Sequence, residues 1–306
     1  MDVVSDAIAA VRVGRAESRR MRVHGRWCTR FAPYGGAGFH VVLEGSCWLL
    51  PEGGAAVSLA AGDAVLLPHG TGHVMADSPA DAAAVARAVP FETLPAAAPA
   101  GWDAGGPGGV EMLCGKYRLD RSRLHPLLRE LPPVVHLPNR VGRHPELRAA
   151  IDLLGGELGS PRPGSEMAVP HLLDLLLVYM VRSWTAEAVR GAWPAALGDP
   201  VAAAALRAVH TDPAAQWSVE RLAAEAGVSR ATLSRRFTAL VGRPPMAYLA
   251  WWRLTRAAAL LREGSEPLSA VARRVGYGSA YAFSHAFSRE FGTTPGRWRA
   301  AGPLSP

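Results

Sequence analysis

The sequence predicts an α+β chain: a β-rich N-terminal barrel, a helical middle segment, and a C-terminal all-α domain with two helix-turn-helix units. Three observations point there. From about Met21 to Leu119, short apolar runs alternate with Gly and Pro, as in RWCTRF, CWLLPEGG and AAVSLAAGDAVLLPHG, which is the texture of many short strands. From Pro145 onward the apolar residues recur at helical spacing instead. Finally, one pattern is written twice near the C-terminus, LAAEAGVSRATLSRRFTALVGRPP from Leu222 and VARRVGYGSAYAFSHAFSREFGTTP from Val271. Ala223 aligns with Ala272 and Gly227 with Gly276. One extra residue in the second turn then brings Leu233/Phe283, Ser234/Ser284, Phe237/Phe287, Gly242/Gly292 and Pro245/Pro295 into register.

Taken in order, residues 2–13 read as a short amphipathic helix, and the strand-rich stretch follows. Residues 145–158 and 165–190 read as two helices, the second strongly apolar along HLLDLLLVYMVRSW. A helix that apolar is buried, either in its own domain or against a partner chain. The Gly/Ala/Pro stretch 191–198 reads as a linker. Asp199-Pro200 then opens a helix, an N-cap residue followed by proline at the first helical position. Ser218 caps the first helix of the repeat, Gly227 supplies its turn and Ser229 caps its recognition helix. A long helix over about 246–263 joins the two units, and Pro267, Gly276 and Ser279 open, turn and cap the second. The boundaries that follow are 1–125 for the β-rich domain, 126–198 for a helical linker and dimerisation segment, and 199–306 for the repeat-bearing domain.

A chain of 306 residues with 49% hydrophobic and 19% charged content is globular, not disordered. Its net charge of +7 is unevenly placed: residues 201–306 carry +8 with fourteen Arg and no Lys, and the rest carries −1. Excess positive charge confined to the repeat is what a phosphate-binding surface requires. The most apolar stretch, His171 to Met180, is too short for a bilayer, and the N-terminus lacks a signal-peptide core. Three cysteines without a CxxC pair make no disulfide framework. The expectation is a cytoplasmic protein without a membrane partner.

Within each recognition helix the apolar positions, Leu233 and Phe237 or Phe283 and Phe287, hold the helix to its own domain and leave the neighbouring face for DNA. In the first helix that face carries Arg230, Ala231, Ser234 and Arg235. Arg forks onto the O6/N7 edge of guanine, so Arg235 is the expected principal base contact. Arg236 and Arg243 are placed for phosphate or solvent. In the second helix the face carries Ala280, Tyr281, Ala282 and His285, a weaker hydrogen-bonding set, expected to position more than discriminate.

The segment closely resembles the AraC/XylS family of transcriptional regulators. The residues carrying the resemblance are Trp217, LAAEAGVS, LSRRF, VGRPP, Arg253, the leucines at 260–261, VARRVGY, FSHAF, FGTTP and Trp298. It implies a domain of two helix-turn-helix units that binds double-stranded promoter DNA, a homodimer, and contact with RNA polymerase where the regulator activates. The family's base-reading positions fall on Ala231, Ser234 and Arg235 and on Ala280, Tyr281, Ala282 and His285; the alanines depart from larger polar residues used by some members.

Residues Gly62 to His73 fit G-x5-P-x-G-x2-H, the second cupin motif, and the N-terminal half is similar to the cupin-type sensor of a subset of this family. FHVVLEGS (39–46), CGKYRL (114–119) and HPLLRELP (125–132) extend the resemblance over nearly the whole chain. It implies a cupin-like barrel that senses a small ligand, a divalent metal or an oxidant. The first cupin motif is degraded: its usual His and Glu places hold Ala32, Tyr34 and Gly38. His40, His69 and His73 form the candidate three-His metal site; the alternative is turn and core histidines in an organic-ligand pocket or an empty barrel. Some relatives of this subset sense reactive chlorine through cysteines. Cys114 matches the family's CG position, Cys28 does not match the second, and Cys28 and Cys47 are a candidate pair across neighbouring strands.

The expected function is therefore a sequence-specific transcription factor, an activator by family habit and not an enzyme, with no catalytic residues. Two rivals are a cupin metalloenzyme with an appended DNA-binding module and a nucleic-acid binder without sequence preference.

Overall fold

The computed structural model describes residues 2–79, 82–94, 109–120, 124–160, 162–188 and 191–301. In chain order the elements are α1 (Val3–Val11), β1 (Glu17–Val23), β2 (Cys28–Phe31), β3 (Gly36–Glu44), β4 (Ser46–Pro51), β5 (Val57–Ala60), β6 (Ala64–Leu67), β7 (His73–Ala76), α2 (Ala82–Ala86), β8 (Val89–Pro90), a 3-10 turn (Phe91–Thr93), β9 (Val110–Arg118), α3 (Pro126–Arg129) and β10 (Val135–Leu137). Helices alone follow: α4 (Pro145–Gly159), α5 (Ser165–Glu187), α6 (Ala192–Gly198), α7 (Pro200–Thr211), α8 (Val219–Glu225), α9 (Arg230–Val241), α10 (Pro245–Glu263), α11 (Leu268–Arg274), α12 (Ala280–Phe291) and α13 (Pro295–Ala300). The chain forms two compact units, one of residues 14–121 and 131–184, the other of residues 1–13, 122–130 and 185–306.

The first unit is β-rich. Its strands form two five-stranded sheets, in the orders β1-β9-β3-β6-β10 and β5-β4-β7-β2-β8. Strand β4 alternates as a half-buried strand should, with Cys47, Leu49 and Pro51 inward, whereas β6 (AVLL) and β7 (HVMA) are buried throughout. Met21, Val42, Leu49, Leu59, Leu67, Met75 and Met112 make up much of the core. The second glycine of the cupin motif is obligatory. Gly70 has φ +61°, and a Cβ there would lie 2.0 Å from the Tyr34 carbonyl oxygen. Helix α4 packs on β1, and α5 buries Leu173, Leu176, Leu177, Met180 and Val181. The Tyr117 hydroxyl donates to the Leu173 carbonyl at 2.8 Å. On the opposite faces Leu153, Met167 and Leu175 remain exposed.

The second unit is all α, and two of its parts come from far upstream. Helix α1 packs against α3, α7 and α10, burying Val3, Ala7, Ile8 and Val11. The boundaries expected at residues 125 and 199 therefore differ from the compact units. Apolar burial explains this: α1 and α3 have no partner face of their own and complete the helical core instead. Residues 191–198, expected as a linker, fold as α6, with Trp193 and Ala196 buried and the Trp193 amide donating to Glu130 Oε2 at 3.0 Å. Proline and glycine suggested a break, but Pro194 lies in the first turn of α6, where no amide is needed.

A directed hydrogen-bond chain runs through this core. The Leu127 amide donates to His125 Nδ1 (3.1 Å), which leaves the proton of His125 on Nε2, donating to Tyr248 Oη (2.8 Å). The Tyr248 hydroxyl then donates to His210 Nε2 (2.7 Å), and His210 Nδ1–H donates to Asp6 Oδ2 (2.8 Å). Asp6 is 2% exposed and the other three side chains are fully buried. Burial pushes His125 well below its ordinary value; it also lowers His210, the Asp6 carboxylate opposing that shift. Both imidazoles are accordingly neutral at neutral pH.

Candidate nucleic-acid interface and sensor cavity

The sequence repeat is a structural repeat. Helices α8 and α11 have seven residues each and α9 and α12 twelve each. The Ser229 and Ser279 hydroxyls accept from the Thr232 and Ala282 amides at 3.2 Å, and Gly242 and Gly292 end the recognition helices in the left-handed conformation. Leu233, Phe237 and Val241 anchor α9, and Phe283 and Phe287 anchor α12. Anchoring one face turns the other outward.

That outward face carries the expected residues unequally. Ala231, Arg235, Tyr281, Ala282 and His285 are exposed, and Ser234 and Ala280 are half-buried. Tyr281, at 84% exposure, is the large hydrophobic side chain that these helices leave exposed. The Arg235 guanidinium has no ion-pair or hydrogen-bond partner among the described residues. Its neighbours are engaged within the chain. Arg230 pairs with Glu220 at 3.0 Å. Arg236, expected at phosphate or solvent, pairs with Asp199, the N-cap of α7. Arg243 is half-buried, its guanidinium 5.4 Å from the centre of the Trp251 ring.

The two readers are braced by Arg253 on the connecting helix α10. Its guanidinium donates to the carbonyls of Pro213 (2.7 Å) and Ala215 (2.8 Å), ahead of the first reader. The turn of the second reader closes on the same group: a Cβ on Gly276 (φ +85°) would lie 2.8 Å from Arg253 Nη2 and 2.9 Å from Ala214 Cα. Around α10 a second core gathers Leu254, Ala258, Leu261, Val271, Phe283, Phe287 and Trp298.

In the β-rich unit a cavity of about 340 Å³ opens beside the ends of β1, β3 and β9. His40 and His73 form its inner wall, with their Nε2 atoms 2.7 Å apart. Burial holds His73 down to about 4 and His40 well below its ordinary value. Phe31 stacks on the His73 ring (4.8 Å, 5°) and on Phe91 (4.5 Å, 27°). His69, the third member of the expected metal site, is elsewhere: its Nε2 meets the Leu131 carbonyl at 2.7 Å. No group of three His, Cys, Asp or Glu able to hold a metal occurs among the described residues, so the residues present do not fit a protein-held divalent metal.

The cysteines depart from expectation too. Strands β2 and β4, carrying Cys28 and Cys47, are not neighbours, because β7 lies between them. Two strand spacings, roughly 9.5 Å, exceed the reach of a disulfide. Cys47 and Cys114 share the core instead. Burial raises Cys47 to about 12 and Cys114 well above its ordinary value, and it raises Cys28 as well. All three are protonated thiols at neutral pH, without the thiolate that reacts with oxidants.

Sequence reasoning missed the buried chain Asp6–His210–Tyr248–His125 and the cavity wall at Arg19, Phe31 and Phe91. A lone acid on the apolar face of α1 was the available signal for Asp6. Nothing local marked the aromatic wall, which assembles from β2 and the 3-10 turn.

Residues 2–186 match the cupin domain family, and residues 222–301 match a helix-turn-helix domain family. An AraC-like transcription regulator of Streptomyces antibioticus is 36% identical over 98% of this chain and 98% of its own length. The HTH-type transcriptional regulator AlkR of Acinetobacter baylyi is 27% identical over 98% of this chain and 99% of its own. The RCS-specific HTH-type transcriptional activator RclR of Escherichia coli is 28% identical over 85% and 83%. These relatives are regulators and not enzymes, and no helix among the described residues is long and apolar enough to cross a membrane. The chain belongs to the AraC-type helix-turn-helix transcriptional regulators that carry an N-terminal cupin domain.

Proposed function

We propose that this regulator acts in the cytoplasm as a homodimeric promoter-binding activator, reading DNA with α9 and α12 and receiving a small effector in the cupin cavity. The observation that carries the DNA-reading part is the pair of equivalently capped recognition helices, braced through Arg253, with Arg235 left unpaired on the outward face of the first. A brace of that kind suits two readers in successive major-groove segments, about 34 Å apart along the duplex. Arg235 discriminates bases from α9, while Ser234 and the smaller groups of α12 set position. Phosphate contact falls to Arg230 and Arg243 on exchange of their internal partners; Arg236 is primarily a structural partner of Asp199. The exposed Leu153 on α4 and Met167 and Leu175 on α5 are apolar side chains that pairing of two copies would cover. Activation, with RNA polymerase as partner, is supported by the activator named among the relatives.

Genome-fragment selection with the purified full chain at about 150 mM salt tests this, since that salt screens non-specific phosphate binding. Recovery of a motif with two half-sites one turn apart is the expected result. Fragments recovered without a motif would instead indicate binding without sequence preference.

A further inference from the structure

The cavity in the β-rich unit is built for one kind of guest. Apart from Glu92, its charged rim is already compensated among the described residues. Glu17 pairs with Lys116 at 3.2 Å and Arg118 at 3.1 Å. Arg19 donates to the carbonyls of Phe91 (2.7 Å) and Leu94 (3.2 Å) and lies 4.0 Å from the centre of the Phe91 ring. An incoming anion would have to compete with one of these partners. Further in, the walls are flat and apolar, with Phe31 between Phe91 and the imidazoles.

Among the lining residues the Ser18 and Tyr34 hydroxyls and His40 Nδ1 are unsatisfied, and for the last of these the hydrogen-bond geometry fixes its character. His73 Nδ1 lies 2.9 Å from the Thr71 carbonyl, an oxygen that can only accept, so His73 carries its proton on Nδ1. Its Nε2 is then an acceptor. His40 Nε2, at 2.7 Å, must supply the hydrogen. That leaves His40 Nδ1 as a bare lone pair, buried and without a partner, on a side chain only 2% exposed. A buried acceptor with no donor is costly and strengthens binding of whatever supplies one.

We infer that the cavity takes an uncharged one- or two-ring aromatic carrying a hydroxyl, a phenol or naphthol, whose ring packs against the edges of Phe31 and Phe91, their faces being taken by His73, Arg19 and each other, and whose O–H donates to His40 Nδ1. The volume is in the range of small-molecule sites. This rests on the reading that the cavity receives the effector, and it adds the chemical class.

The test is calorimetric titration of the full chain with 1-naphthol, naphthalene and 1-naphthoate, repeated with zinc chloride and followed by operator binding with and without each compound. Naphthol is expected to bind about tenfold more tightly than naphthalene, the effect of one hydrogen bond to a buried acceptor, and more tightly than naphthoate. His40→Phe should erase the naphthol preference while naphthalene still binds; if that variant does not fold, the wild-type series decides alone. Equal binding of naphthol and naphthalene, tighter binding of naphthoate, stoichiometric zinc held by His40 and His73, or no binding at all would each overturn the proposed class. Naphthoate or zinc that alters operator affinity would overturn the class but leave the effector reading intact. Naphthol bound with the expected preference but without effect on operator affinity would leave the class intact and overturn the effector reading.

Discussion

At the scale of single residues, engagement separates the arginines of the first recognition helix more clearly than position does. Arg235 and Arg236 are adjacent and both exposed, yet only Arg236 is tied to an acid, the cap of α7. Arg235→Ala should relax base preference at one position of the first half-site and weaken the cognate site by about 1–3 kcal/mol. Competition binding against a library varied at each position measures this; equal weakening on every sequence would make Arg235 a phosphate contact. Arg236→Ala should act differently, lowering thermal stability while leaving the recovered motif unchanged. The sequence showed which residues face outward, because apolar spacing fixes the inner face. It did not show that Asp199 would meet Arg236, a pairing that depends on how α7 packs against α9.

The elements were the most legible scale. Serine caps, glycine turns and prolines at first helical positions act within a few residues, so both repeats, α10 and the strand texture could be read directly from the chain. Residues 191–198 were misread because α6 owes its order to Trp193, whose burial is a tertiary fact. The brace between the readers was equally hidden, since Arg253, Ala214 and Gly276 are distant in sequence. Gly276→Ala should be among the most damaging single changes in the second reader. It adds a Cβ against Arg253 and Ala214 at a positive φ, with an expected loss of about 2 kcal/mol or more in urea unfolding. Gly278, with no atom near its absent side chain, is the control; Gly278→Ala should cost far less.

Across the whole molecule, four buried histidines make stability depend on pH. His40, His73, His125 and His210 all have folded values below the ordinary 6.5. The unfolded chain therefore binds protons first as pH falls. The stabilisation is fully present above about 6.5 and is lost progressively toward the folded values. For His73 alone, held at about 4, the loss at pH 5 is about 2 kcal/mol. Urea midpoints measured between pH 7.5 and 5 should fall steadily, and a flat profile would contradict the buried neutral assignment. The same scale explains which part of the sensor half was hard to read. The second cupin motif marked His73 and its glycine turns. Placing His40 against His73, and His69 away from both, required the sheet order.

The bond between Asp6 and His210 joins residues 204 positions apart, and this constrains the order of assembly on the ribosome. Helix α1 is made before the cupin domain, but α7 and α10, on which it docks, are made after it, so much of its apolar face must wait through synthesis of the entire cupin domain. A fragment starting at residue 199 would never receive that helix. It should expose the Tyr248–His210 surface and need α1 added in trans, or a fused copy, to behave as a monodisperse protein. An affinity tag fused directly ahead of Asp2, the cap of α1, therefore threatens the DNA-reading unit more than the sensor to which its sequence position would assign it.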